Sequence, residues 1–176
     1  MDFPEITLRA VGFVKSEIKE PVLRADNNGI TLEEKLKKVK IENDKIKTMI
    51  SEIVIEPDFA ELLDDIDDYS HILVLFWAHK VPEASRKLTK VHPMGLKDIP
   101  RKGIFATCSP ARPNPVLVTA VKLIERKGNI LKIQGFEAID GTPVIDIKPY
   151  VEGYHRVESP TRPEWMENIH RQLESL

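Results

Sequence analysis

The stretch VLVTAVKLIERKGNILKIQGF, residues 116–136, decides the fold. Two runs rich in β-branched and aliphatic residues, 116–125 and 130–136, flank Lys127-Gly128-Asn129, a strong hairpin signal. Working outward, SEIVIE at 51–56 alternates as a strand. HILVLFWAH at 71–79 is nearly continuous in apolar residues and reads as a central strand. Residues 6–15 alternate and read as a first strand, and 103–107 as a short strand entering a proline-rich turn. Residues 144–147 form a last strand after the turn pair Asp140-Gly141. Many short strands separated by turns predict a mainly β chain, an antiparallel barrel or sandwich. No βαβ alternation and no glycine-rich fingerprint follow the first strand, which disfavours a doubly wound Rossmann fold.

Two longer helices and a short one punctuate this pattern. Thr31-Leu32-Glu33-Glu34 fits a capping box, with Thr31 as N-cap. Leu32, Leu36, Val39, Asn43, Ile46 and Ile50 follow at steps of four and three, a heptad seam with one polar member. That stripe suits an amphipathic helix packed on its own domain, or a short pairing helix between subunits with Asn43 setting register. Residues 161–176 read as a C-terminal helix with Pro163 near its first turn and Trp165, Ile169 and Leu173 on one stripe. Between strands lie a polar loop at 16–29, a short helix from Pro57 to Leu63, a solvated acidic turn at 64–68 and a basic loop at 81–102.

At 176 residues one domain is the leading expectation, and the chain can bury a core without disulfides or metals. The formal net charge of -2 argues against nucleic-acid binding driven by overall charge, while leaving room for a local basic face. One cysteine, Cys108, excludes an intrachain disulfide and agrees with a reducing compartment; its default reading is a buried thiol. MDFPEITLRAVGF does not read as a signal peptide, and no apolar run approaches the roughly 20 residues that span a bilayer. A cytoplasmic protein outside the membrane is expected.

Three segments could carry chemistry. Residues 106–115 hold three prolines within six positions, which fix backbone angles and present Ser109, Arg112 and Asn114 rigidly, for ligand orientation or as a stiff connection. Residues 139–150 hold Asp140-Gly141 and then Asp146 and Lys148 on one strand face, paired or in a cavity if inside, solvated if outside. His71 and His79 would share a strand face at opposite ends, too far apart to share a metal, and no metal site is expected.

Together these segments resemble one family. Tyr69 through Trp77 (YSHILVLFW) is similar to the Ser-His-Ile strand motif of the TrmO-like tRNA adenine-N6-methyltransferases. Phe105 through Pro115 (FATCSPARPNP) resembles their Phe-Ala-Thr-Arg-Ser-Pro-x-Arg-Pro-Asn-Pro loop, with Cys108 at the arginine position. Asp140 through Tyr150 (DGTPVIDIKPY) resembles their Asp-Gly-Thr-Pro-Val-hydrophobic-Asp-Ile-Lys-Pro-Tyr segment. The likeness runs from about residue 8 to 150. It departs at Cys108, at 116–119 where the family carries Ile-Gly-Leu-Ser, and at the helix within 29–48.

The resemblance implies a single-sheet antiparallel β-barrel over 1–155 with a helix inserted at about 30–49, and a helical extension over 156–176. It implies an S-adenosyl-L-methionine-dependent methyltransferase, working as a homodimer with the cofactor near the subunit interface. The implied acceptor is N6 of threonylcarbamoyl-adenosine beside the tRNA anticodon. Cofactor contacts carry over to Pro21, Val22, Leu23, His79, Lys80, Cys108, Val118, Ile139, Asp140, Gly141 and Thr142. Arg112, Lys148 and Tyr150 are expected to bind substrate. Asn114 and Asp140 are the candidate hydrogen-bond acceptors for the adenine amine. A same-fold methyltransferase with another acceptor, and a non-catalytic ligand- or RNA-binding module, are the alternatives.

Overall fold

The computed structural model describes residues 4–21 and 32–176. Its elements are β1 (Gly12–Lys15), α1 (Leu32–Thr48), β2 (Ile50–Ile55), β3 (His71–Trp77), α2 (Glu83–Arg86), β4 (Lys90–Val91), β5 (Lys102–Gly103), β6 (Val116–Lys127), β7 (Ile130–Gln134), β8 (Pro143–Pro149), α3 (Glu152–His155) and α4 (Glu164–Glu174). Six strands close into an antiparallel barrel in the order β1-β2-β7-β6-β3-β8, and β4-β5 form a separate two-stranded sheet. The mainly β barrel with an inserted and a C-terminal helix is therefore the architecture of this chain.

The alternation read from the sequence fills the barrel. Val14, Ile53, Ile72, Val74, Phe76, Val121, Leu131, Ile133, Phe136 and Val144 all point inward and are buried. Each such side chain contributes about 1.5–3 kcal/mol through removal from water. Phe76 and Phe136 meet edge-to-face at 5.0 Å in the same core. The hairpin forms as expected, with Gly128 at φ 61° in its turn and Lys127 opposite Ile130.

The ladder that closes the barrel is short. β1 meets β8 only at Gly12–Val144 and Phe13–Pro143. Backbone bonds extend it: Val11 N–H to Val144 O at 2.8 Å, Val14 N–H to Thr142 O at 3.0 Å, and Gly141 N–H to Val14 O at 2.8 Å. Gly12 also lies so close to β2 that a Cβ there would sit 2.3 Å from the Val54 carbonyl oxygen.

β8 carries a bulge. Leu75 pairs with Asp146, but Phe76 pairs with Val144, so Ile145 is the extra residue. The bulge switches which parity faces inward. Ile147 packs against the core on one side of it, and Val144 and Thr142 are buried on the other. Asp146 and Lys148 lie outside and pair at 2.6 Å, the solvated alternative of the two considered above.

Several expectations are corrected. The first strand spans only Gly12–Lys15; Val11 adds single backbone bonds to Val144 and Glu56, and residues 4–10 make no strand ladder. Residues 104–106 form a 3-10 turn rather than a strand, and the basic loop contains α2, β4 and β5. β3 ends at Trp77, so His79 is not on a strand face with His71. The acidic run is the solvated turn expected, with Asp64, Asp65, Asp67 and Asp68 all exposed and Asp64 in a surface pair with Arg126 at 2.8 Å. Helix α1 buries Leu36 and Val39, while Asn43 is exposed. Leu36 joins Leu96 and Ile169 of α4 in a second small core, with Met94, Ile99, Trp165 and Leu173 packed around it. Helix α1 thus packs on its own chain. Thr31 of the capping box lies outside the described residues.

Replacing Gly12 with alanine should lower stability by about 2–3 kcal/mol through overpacking at the β1–β2 contact. Urea denaturation of the variant checks this.

Candidate functional site

The antiparallel barrel has two unlike ends. At one lie the 56–70 connection, folded into 3-10 turns, and the tight Gly128 turn. At the other, β1 runs out into residues 16–49, β3 into 78–115, and β7 into 135–142. The two longest connections, 16–49 and 78–115, leave from this second rim. Loops carried on a rigid frame are where ligand-binding groups collect.

The proline-rich loop and the Asp140 turn both lie there. Val116 opens β6 opposite Trp77, the last residue of β3. Ala78 N–H donates to Pro115 O at 2.8 Å, which fastens the Asn114 turn to the end of β3. On the other side of β3, Phe76 pairs with Val144, so Thr142 lies just beyond the same end. The Thr142 hydroxyl and His79 Nδ1 are 3.3 Å apart. The two turns thus flank one strand end, roughly 10 Å apart across two strand spacings.

The Asp140 turn is shaped by its glycine. Thr142 N–H donates to Ile139 O at 3.0 Å, and Gly141 has φ 75°, a left-handed position unfavourable for a side-chain-bearing residue. The Ile145 bulge then turns Thr142 inward, where it is only 3% exposed.

A third segment, 16–20, folds over this turn. Ser16 N–H donates to Asp140 Oδ1 at 3.0 Å, and Lys19 Nζ sits 2.8 Å from Asp140 Oδ2. Asp140 N–H donates to Ile18 O at 2.7 Å. Lys80 donates to the Lys19 carbonyl oxygen and lies 3.3 Å from Glu20 Oε1. The hydrogen bond from Lys19, then that from the Ser16 amide, holds the Asp140 carboxyl below its ordinary pKa. Asp140 is therefore an ionised tether between segments and a weak proton acceptor. The His79 pKa is lowered first by burial and next by the neighbouring Lys80 charge, so the ring is neutral near pH 7.

The proline-rich loop is closed by Arg112. Its Nε donates to Ser109 O at 2.8 Å and its Nη2 to Thr107 O at 2.7 Å, bracketing Cys108. Cys108 is exposed, not a buried thiol, because this loop runs over the surface. Asn114 is exposed, and its side chain makes no hydrogen bond among the described residues.

The expected site residues are only partly gathered. His79, Lys80, Ile139, Asp140, Gly141, Thr142 and Asn114 share the rim, with Pro21 just beyond the 16–20 segment. Val118 pairs with Leu75 on the outer face of the barrel and is 61% exposed. Lys148 and Tyr150 are at the other end: Lys148 pairs with Leu73, and Tyr150 N–H donates to His71 O. Roughly 25 Å of strand separates Thr142 from Tyr150. Val22 and Leu23 lie outside the described residues. Sequence reading missed Ser16 and Lys19; the Ser16–Asp140 bond spans 124 positions, and no local pattern marks it.

Among the described residues, no three His, Cys, Asp or Glu side chains group as metal ligands would, and no helix is long and apolar enough to cross a membrane.

Residues 34–156 match the family model described as tRNA-methyltransferase O N-terminal domain. A Pyrococcus abyssi protein described as a probable S-adenosyl-L-methionine-binding protein is 36% identical over 167 residues, covering 94% of this chain and 79% of its own. A human tRNA (adenine(37)-N6)-methyltransferase is 38% identical over 98 residues, 56% of this chain and 22% of its own. The fold matches the crystal structure of TrmO from Pseudomonas aeruginosa with a TM-score of 0.66 at 22% identity, covering 93% of this chain and 63% of that one. The chain thus spans just under two thirds of that solved protein.

Folding stability should fall as the pH drops below 6.5, the ordinary histidine value. Below it the unfolded chain takes up a proton that folded His79 resists, until the lowered folded pKa is passed. His79→Gln should remove that part of the pH dependence in thermal unfolding scans.

Proposed function

Since the chain belongs to the tRNA-methyltransferase O N-terminal domain family, we propose that it methylates an adenine amine of tRNA from S-adenosyl-L-methionine. The proposed acceptor is N6 of threonylcarbamoyl-adenosine beside the anticodon, and the place of action is the cytoplasm. The observation that supports this reading is the placement of the Asn114 and Thr142 turns on the two sides of the end of β3.

The residues at the rim fit the cofactor chemically. A neutral His79 sets no charge against a sulfonium, whereas an imidazolium would repel it. The Gly141 position has no atom within 4 Å of where a Cβ would be, leaving its backbone open to close approach. Asp140 and Lys80, paired here with Lys19 and Glu20, would exchange those partners for the ammonium and carboxylate of an amino-acid tail. Pro21, Cys108 and Ile139 border the same rim and would complete the contacts. When bound, S-adenosyl-L-methionine supplies an electrophilic methyl group.

The chain's own task is positioning. In-line displacement depends on alignment of donor and acceptor, and stiff turns supply it. Asn114, exposed and without a side-chain bond, would accept from the adenine N–H and keep the nitrogen lone pair directed outward. Asp140 is a weaker candidate for that role, since Ser16 and Lys19 already hold its oxygens; it serves as a positioning residue. Arg112 keeps the Cys108 loop in shape.

A homodimer accounts for the split site. Lys148, Tyr150 and Val118 lie away from the rim interior, and the outer face of β3 and β6 exposes Val118 beside partly buried Leu73 and Leu75. A two-fold contact through this face with reversed strand directions would bring the Lys148 end of one barrel to the rim of the other.

Three measurements test this. Calorimetry with millimolar S-adenosyl-L-methionine should show binding; a folded chain that binds none would favour a non-catalytic module. Asn114→Ala should lower kcat by about a hundredfold on tRNA bearing the modified adenosine, with cofactor affinity retained; unchanged turnover removes Asn114 from the mechanism. Mixing inactive Thr142 and Lys148 variants should restore about a quarter of wild-type activity if each site draws on both copies; no recovery contradicts the shared site.

A further inference from the structure

Phe105 is 83% exposed on a backbone that is held on both sides. Ile104 before it is buried, and its N–H donates to Thr89 O at 3.0 Å. Thr107 after it donates to Ile104 O from both N–H (3.2 Å) and Oγ1 (2.9 Å). Arg112 in turn donates to Thr107 O at 2.7 Å. The ring is therefore fixed outward and has no route to the core.

Its surroundings are basic. In the β4–β5 ladder Lys90 pairs with Gly103 and Val91 with Lys102. Arg101 Nη2 donates to Lys90 O at 2.8 Å, which keeps two of these cations together. Between residues 83 and 102, Arg86, Lys87, Lys90, Lys97, Arg101 and Lys102 face only two carboxylates, Glu83 and Asp98, in a chain whose net charge is -2. Arg86 also sits over the Trp77 ring at 5.4 Å, anchoring the start of this loop to the end of β3. Phe105 is three residues from Cys108, at most about 11 Å between Cα atoms.

A fixed, exposed aromatic ring among lysines and arginines matches the way single-stranded nucleic acid is held: bases stack on the ring while cations meet the phosphates. A protein contact is a poorer match, because lysine is depleted from such interfaces. We propose that Phe105, framed by Lys90, Arg101 and Lys102, is a stacking platform for an unpaired RNA base beside the one that reacts. The proposal rests on the RNA-acceptor reading above and extends it to a specific subsite.

The test uses fluorescence anisotropy with a fluorescein-labelled RNA hairpin whose single-stranded loop contains adenosine. Phe105→Ala should weaken binding about tenfold, Phe105→Trp should bind like the wild type, and both should keep the wild-type melting temperature and affinity for S-adenosyl-L-methionine. Wild-type binding with Phe105→Ala unchanged overturns the platform alone. A wild-type chain that binds no RNA hairpin overturns both the platform and the RNA-acceptor reading. If Phe105→Ala turns a dimer into monomers by analytical ultracentrifugation, the ring is a subunit contact and the platform is overturned.

Discussion

Closing the barrel requires the first strand to meet the last, and only Gly12 and Phe13 are available to make that ladder. Every sheet edge presents unpaired N–H and C=O groups until closure removes it. Here the ladder is extended past those two pairs: Val14 N–H donates to Thr142 O, Gly141 N–H donates to Val14 O, and Val11 N–H donates to Val144 O. The turn that finishes the fold is thus also the wall of the candidate site. Distortion of that turn would loosen the seam and the ligand-facing groups together.

That coupling explains why the rim is stiff. The end of β3 is gripped from one side by Pro115 and from the other by Thr142. The 16–20 segment is pinned to Asp140 by an amide and an ammonium. Arg112 closes the proline-rich loop with two bonds to carbonyl oxygens. Few of these groups are reactive in themselves. Such an arrangement suits a reaction whose barrier yields to alignment, as methyl transfer between two bound molecules does.

Much of this was legible in the chain. The 116–136 hairpin, the apolar run of β3 and the alternation of β2 report local periodicity, and local periodicity survives folding. The segments 105–115 and 140–150 could be singled out by their prolines and the Asp140-Gly141 pair. Other features could not. The inward turn of Thr142 depends on one bulged residue, Ile145, which carries no distinguishing side chain. The Ser16–Asp140 tether joins residues remote in sequence. Cysteine is usually buried, yet the loop that carries Cys108 lies on the surface. Residues 6–10 alternate as a strand would, but alternation supplies no partner edge. Lys148 and Tyr150 belong to the same motif as Thr142, and strand rise alone moves them to the opposite end.

The claim on which the account turns is that ligand chemistry occurs at the rim built by the 139–142 turn. Backbone amide chemical-shift mapping by NMR, during titration with S-adenosyl-L-methionine, tests it most directly. The largest changes are predicted at residues 16–20, His79, Lys80, 108–114 and 139–142. Changes concentrated instead at the opposite end, around Ala60, Asp64, Arg126 and Asn129, where a cleft of about 300 Å³ lies, would contradict it.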